Sequence, residues 1–111
     1  MSEEIESGSN ESEKLLRDQV IDGLRSGGIE DSEVNKKLIE WTIKQEERVE
    51  SAGRTVEARV NFEIEKAKLY FEGGYIDEAF ETLDAVLYVA EQENRNDLIE
   101  IISDEILRME G

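Results

Sequence analysis

The sequence predicts an all-α protein, with antiparallel helix hairpins packed as a small right-handed bundle or repeat-like array of about five helices. Three observations carry this. The chain has no proline, so no position is barred from a helix interior. Glu, Leu, Ala, Lys, Arg and Ile, all good or fair helix formers, fill the long segments. Apolar residues recur at helical spacing between short breaks rich in glycine or asparagine. At 111 residues the chain makes one domain with a single modest core.

Residues 1–11 are Ser, Gly, Asn and Glu with one Ile after Met1, a composition that buries too little to order itself. They are expected to form a flexible acidic tail, leaving 12–111 as the helical domain. The first helix is expected over 12–25, capped by Ser12, with Leu16, Val20 and Leu24 as its stripe and Leu15 and Ile21 beside it. Gly23 weakens it, and Ser26-Gly27-Gly28 ends it. The second helix, over 32–51, starts at Asp31 or Ser32. Val34, Leu38, Trp41 and Val49 line one side, Ile39 and Ile43 lie beside them, and Ala52-Gly53 stops it.

The third segment, 55–72, carries two periods. Val56, Ala58, Val60, Phe62 and Ile64 alternate with polar residues as in a strand, while Val56, Val60, Ile64, Ala67 and Phe71 fit a helix. Length decides for the helix, because a strand of about 18 residues is abnormal. Gly73-Gly74 follows as a helix C-terminus, one glycine taking the left-handed conformation. The fourth helix, over 75–92, has a seam of Ile76, Ala79, Phe80, Leu83, Val86, Leu87 and Ala90 and a second apolar side of Ala85, Tyr88 and Val89. A helix apolar on two sides needs two neighbours, so it is expected at the centre, packed on the third and fifth. Asp97 with Glu100 reads as a capping box opening the fifth helix, over 96–109. Leu98, Ile99, Ile101, Ile102, Ile106, Leu107 and Met109 give that helix a broad apolar face, expected to be buried on the fourth.

Charge and missing residue types narrow the function. The formal net charge is −16, and residues 69–111 hold twelve acids against only Arg95 and Arg108. Residues 14–68 are nearly balanced, with twelve acids and eleven bases. Direct nucleic-acid binding is disfavoured, because a phosphate polymer is repelled. A basic protein partner is favoured electrostatically, although acidic surface also serves solubility alone. There is no cysteine and no histidine, which removes disulfides, thiolate sites, and the commonest general base and zinc ligand. No apolar run approaches the ~20 residues of a membrane span, and "MSEEIESGSNESE" lacks the basic and apolar regions of a signal peptide. No membrane association and a cytoplasmic location are expected.

Ala67, Tyr70, Gly74, Ile76 and Ala79 stand in a spacing that resembles the tetratricopeptide (TPR) helix hairpin, best in "GYIDEAFETL". The likeness covers one repeat, roughly residues 58–90, and Glu63 and Lys66 depart from it where bulky apolar residues are usual. The last three helices are also similar to the microtubule-interacting-and-trafficking domain. "LIEWT" and "GGYIDEAF" resemble stretches of a small archaeal helical family of uncharacterised function. The first two resemblances imply a TPR-like array that binds short peptides or helices in a groove between helices.

Asp77, Glu81 and Asp84 share a helical face at i, i+4 and i+7. They read chiefly as a solvated face, since helical carboxylates without loop carbonyls bind calcium poorly and no Glu-x-x-His accompanies them. Gly27-Gly28 and Gly73-Gly74 precede no Lys-Ser or Lys-Thr and follow no strand, so they are not phosphate loops. No catalytic residue, metal or cofactor is expected, and the chain reads as not an enzyme. Trp41, Tyr75, Asp77, Glu81, Asp84 and Tyr88 are the candidate partner-binding residues, although Trp41 falls in register with Val34 and Leu38 and reads first as core. The favoured function is an adaptor or assembly factor capturing a peptide, helix or basic protein between its second and fourth helices. The alternative is an acidic DNA mimic that inhibits a nucleic-acid-binding enzyme. A homodimer that completes the core of an unfinished repeat is a third reading.

Overall fold

In the computed structural model the described residues are 2–111, with side chains described from residue 11 onward. Five helices follow one another: α1 (Ser2–Ser26), α2 (Ser32–Ser51), α3 (Val56–Glu72), α4 (Ile76–Gln92) and α5 (Asn96–Glu110). There is no strand among the described residues. The α1 backbone is helical from Ser2, so the helix runs through Ser12 instead of starting on it. Met1 and the side chains of residues 2–10, on which the expected tail falls, lie outside the described residues.

Local chemistry sets the boundaries. Asp31 caps α2, its carboxylate accepting from the Glu33 and Val34 N–H groups at 2.9 and 3.3 Å. The Thr55 hydroxyl accepts from the Ala58 N–H at 3.1 Å and opens α3. At the end of α3 the Gly74 N–H donates to Phe71 O (3.1 Å) and the Tyr75 N–H to Tyr70 O (2.8 Å). This is a Schellman motif, and Gly74 adopts the positive φ of 92° that it demands. The same bond pattern ends α4, with Asn94 at φ 55° in the left-handed position. The expected capping box at Asp97 is not formed: α5 begins at Asn96 with no side-chain cap, and Asp97 sits inside the first turn, bonded to Arg95. Arg95 recruits this carboxylate because the preceding Schellman turn brings its guanidinium beside it.

The helices form two layers. α1 touches α3 and α3 touches α5, while α2 packs on α1 and α3, and α4 on α3 and α5. The molecule measures 37 × 37 × 22 Å, and its short axis equals about two helix diameters. The central helix is α3, which meets all four others, and not α4 as the sequence implied. α4 does contact α3 and α5, but its second apolar side has no helix neighbour among the described residues.

Two apolar clusters flank α3. One joins Val60, Ile64 and Ala67 to Ala79, Leu83, Val86 and Ala90 of α4 and to Leu98 and Ile102 of α5. The other joins Leu16, Val20, Ile21 and Leu24 of α1 to Val34, Leu38 and Trp41 of α2 and Leu69 of α3. Tyr70 packs against both. Residues two apart on a helix point about 200° apart, so a helix buried on opposite sides alternates like a strand. That is the physical source of the ambiguous period at Val60, Phe62 and Ile64, all three of which are buried.

Two glycines set how closely the first hairpin docks. A Cβ on Gly73 would lie 2.7 Å from Leu24 Cδ1, and one on Gly23 would lie 2.7 Å from Val34 Cγ2. Gly23, a helix weakener by propensity, is the close-approach point of α1 and α2. Polar bonds fasten the two hairpin turns together. The Ile29 N–H donates to the Tyr75 hydroxyl at 2.8 Å, and Arg25 Nε donates to the Glu72 carbonyl at 2.6 Å. Arg17 also pairs with the Glu72 carboxylate.

Candidate interaction surface

The structure separates the six candidate residues into three groups. Trp41 is 2% exposed and belongs to the α1–α2 cluster beside Leu38, so its indole is core and offers a partner no anchor. Tyr75 is half-buried at the start of α4. Its hydroxyl accepts from Ile29, and its ring lies 6.4 Å from that of Tyr70, so it fastens the two hairpins. The remaining four come together. Asp77, Glu81, Asp84 and Tyr88 recur at i, i+4, i+7 and i+11 along α4, and all are exposed.

This stripe lies opposite the buried seam of Ala79, Leu83, Val86 and Ala90. Along it Asp77, Glu81 and Asp84 occupy the N-terminal half, Ala85, Tyr88 and Val89 follow and stay exposed, and Glu91, seven residues after Asp84, adds an exposed carboxylate at the C-terminal end. Tyr88 is 62% exposed. None of the three carboxylates forms an ion pair among the described residues. The positive end of the helix dipole accounts for Asp77 in the first turn, but Glu81 and Asp84 lie beyond its reach.

α2 and α4 flank α3 without touching one another. Lys68 and Glu72 of α3 point to α5 and α1, so the opposite strip of that helix, Glu63, Lys66 and Tyr70, faces the gap between α2 and α4. Glu63 and Lys66 pair there at 3.2 Å, and Lys66 sits 5.4 Å from the Phe62 ring centroid. The groove expected between the second and fourth helices therefore has a charged, internally paired floor.

Two other clefts escape sequence reading. One, of about 290 Å³, opens between the end of α2 and the start of α3, over Val49, Ala52, Ala58 and Phe62. The other, of about 160 Å³, lies between α3 and α5 and is lined by Lys68, Phe71, Glu72, Glu105, Arg108 and Met109. In it Glu105, 5% exposed, is held by Arg108 at 2.7 Å and Lys68 at 3.8 Å. The Lys68–Glu105 contact and the approach of α3 to α5 join residues far apart in sequence and leave no local pattern. No group of three or more carboxylates among the described residues could hold a metal ion. No described helix is long and apolar enough to cross a membrane.

A second polar node sits at the α4–α5 turn. Arg95 bonds both Asp97 oxygens, at 3.1 and 2.9 Å, and reaches Glu57 of α3 at 3.0 Å. The hydrogen bonds from its guanidinium hold both carboxyls below their ordinary range.

The chain matches no family model, no curated protein and no solved structure. The α5 face departs from expectation: Leu98 and Ile102 are buried on α4, but Ile101 and Leu107 are 49% and 64% exposed.

Proposed function

We propose that the chain is a non-catalytic protein-interaction module, an adaptor or assembly factor, whose partner is a basic protein, peptide or helix. The single observation that carries this reading is the apolar surface left over on the last two helices. Tyr88, Ile101 and Leu107 remain exposed within a segment of twelve acids and two bases. Exposed apolar side chains set among carboxylates favour a partner that is both amphipathic and basic. The two-layer order of helices, with α1, α3 and α5 in successive contact, supports a TPR-like array as the scaffold.

The test is capture from the native cell, followed by calorimetry with the purified partner. A basic partner whose affinity falls about tenfold between about 50 mM and about 300 mM salt agrees with the reading. Acidic partners, or affinity indifferent to salt, oppose it. Competition between that partner and duplex DNA for the same site would move the function to the DNA-mimic alternative.

A further inference from the structure

We infer that the outer face of α4 is the docking site, and that its occupant is a short basic amphipathic helix lying along it. The inference rests on the interaction-module reading and adds the surface and the chemistry of the partner. α4 is apolar on two sides, and among the described residues its helix neighbours are α3 and α5 alone. Ala85, Tyr88 and Val89 on its free side are all exposed. A tyrosine beside an alanine makes a ridge and an adjoining depression on a helix surface, into which another helix can pack. The three carboxylates about one to three turns before Tyr88 on this face have no counter-charge among the described residues.

Charge selects among occupants. A second copy meeting this face with its own α4 brings carboxylates and no base. The segment's only cations are Arg95, held by Glu57 and Asp97, and Arg108, held by Glu105. A basic helix supplies what that α4-to-α4 pairing cannot. The gradation along α4 further defines it. Twelve steps from Asp77 to Val89 span about 18 Å, so a helix of about 12–14 residues covers the face. Its lysines or arginines belong over Asp77, Glu81 and Asp84, and its apolar side chains over Ala85, Tyr88 and Val89. Recognition is thus of a helix whose basic part lies over Asp77 to Asp84 and whose apolar part lies over Ala85 to Val89, ending before the exposed Glu91.

The probe is a synthetic helical peptide of about 14 residues with that pattern, compared with a scrambled peptide of identical composition. Binding is followed by backbone amide chemical shifts of the full chain. The patterned peptide is expected to shift residues of the outer α4 face and to bind at least about tenfold more tightly than the scrambled one. D77N/E81Q/D84N should weaken it about tenfold and remove most of its salt dependence. Y88A should weaken it about fivefold at any salt concentration. All these positions are exposed, so the variants keep the wild-type helical content by circular dichroism. Equal binding of the scrambled peptide would reduce the effect to general attraction and overturn the proposal. Shifts confined to the cleft between α3 and α5 would overturn this site while leaving the interaction reading in place. Concentration-dependent shifts of the α4 face without peptide would assign the face to self-association. If neither peptide shifts the face, and a natural partner captured from the cell binds D77N/E81Q/D84N and Y88A as it binds wild type, the α4 site is wrong and the module reading survives. If no partner is captured either, both fall.

Discussion

A methyl group on Gly73 would stand 2.7 Å from Leu24 Cδ1 and 2.9 Å from Leu24 Cβ, whereas one on Gly74 would meet nothing within 4 Å. Gly74 is restricted instead by its φ of 92°. The two neighbours therefore tolerate alanine differently. Gly73→Ala should cost about 1–3 kcal/mol through overpacking, and Gly74→Ala about 1–2 kcal/mol through left-handed backbone strain. Denaturant unfolding in a Leu24→Ala background separates the causes: the Gly73→Ala cost should shrink there, and the Gly74→Ala cost should not. Equal costs in both backgrounds would show that Leu24 is not the obstacle at Gly73. Arg95 gives a second prediction at this scale. Its hydrogen bonds depress the Glu57 and Asp97 pKa values, so the ionised carboxylates favour the folded state. That contribution is present above the unfolded carboxyl range of about 4 and is lost as pH falls through the depressed folded values. In Arg95→Gln, carboxyl-carbon titrations should move both groups up toward their ordinary values. Unchanged titration curves would show that the guanidinium does not hold them.

Between elements, the bond from the Ile29 N–H to the Tyr75 hydroxyl ties the α1–α2 turn to the start of α4. Tyr75→Phe keeps the ring and removes the acceptor. It should lower stability by about 0.5–1 kcal/mol and speed hydrogen exchange of the Ile29 amide selectively. If exchange at Ile29 is no faster than in wild type, the bond is not formed in solution. Such contacts mark the limit of what sequence reveals. The breaks between helices were legible because caps and turns are local: Asp31, Thr55, Gly74 and Asn94 act on bonds within a few residues, whereas the start of α1 was not. The neighbours of each helix were less legible. Residues 56–64 looked like a strand because α3 is buried on opposite sides, and the same two-sidedness makes it the hub. The apolar second side of α4 looked like a buried face because periodicity counts apolar residues without saying whether anything covers them. Of the candidate site, the i, i+4, i+7 recurrence on α4 was legible. The burial of Trp41 as against the exposure of Tyr88 depended on which helix lies opposite, and the two clefts depend wholly on tertiary approach.

For the molecule as a whole, the question is whether its two apolar clusters unfold together. Among the described residues α3 alone gives buried side chains to both: Leu69 faces α1 and α2, Ala67 faces α4 and α5, and Tyr70 touches both sides. Melting α3 on one side removes the surface on which the other side packs, so neither cluster survives loss of the other. Trp41 makes this testable, because the chain's single indole lies in the α1–α2 cluster, 2% exposed. Ile102, 0% exposed, lies in the other cluster, on α5, which has no contact with α2 among the described residues. Ile102→Ala should cost about 2–5 kcal/mol through the cavity it leaves. In a cooperative molecule, Trp41 fluorescence and helical circular dichroism report one coincident transition, and Ile102→Ala shifts both to lower denaturant by the same amount. The alternative is a modular array in which nearest-neighbour interfaces hold semi-independent pairs. In that case Ile102→Ala lowers an early circular-dichroism phase and leaves the Trp41 midpoint in place, and α3 would have to remain folded with one face bare. The burial of Val60, Ala67 and Leu69, each 0% exposed on one side or the other of this helix, makes such a half-bare state costly, and that cost is what should couple the two halves.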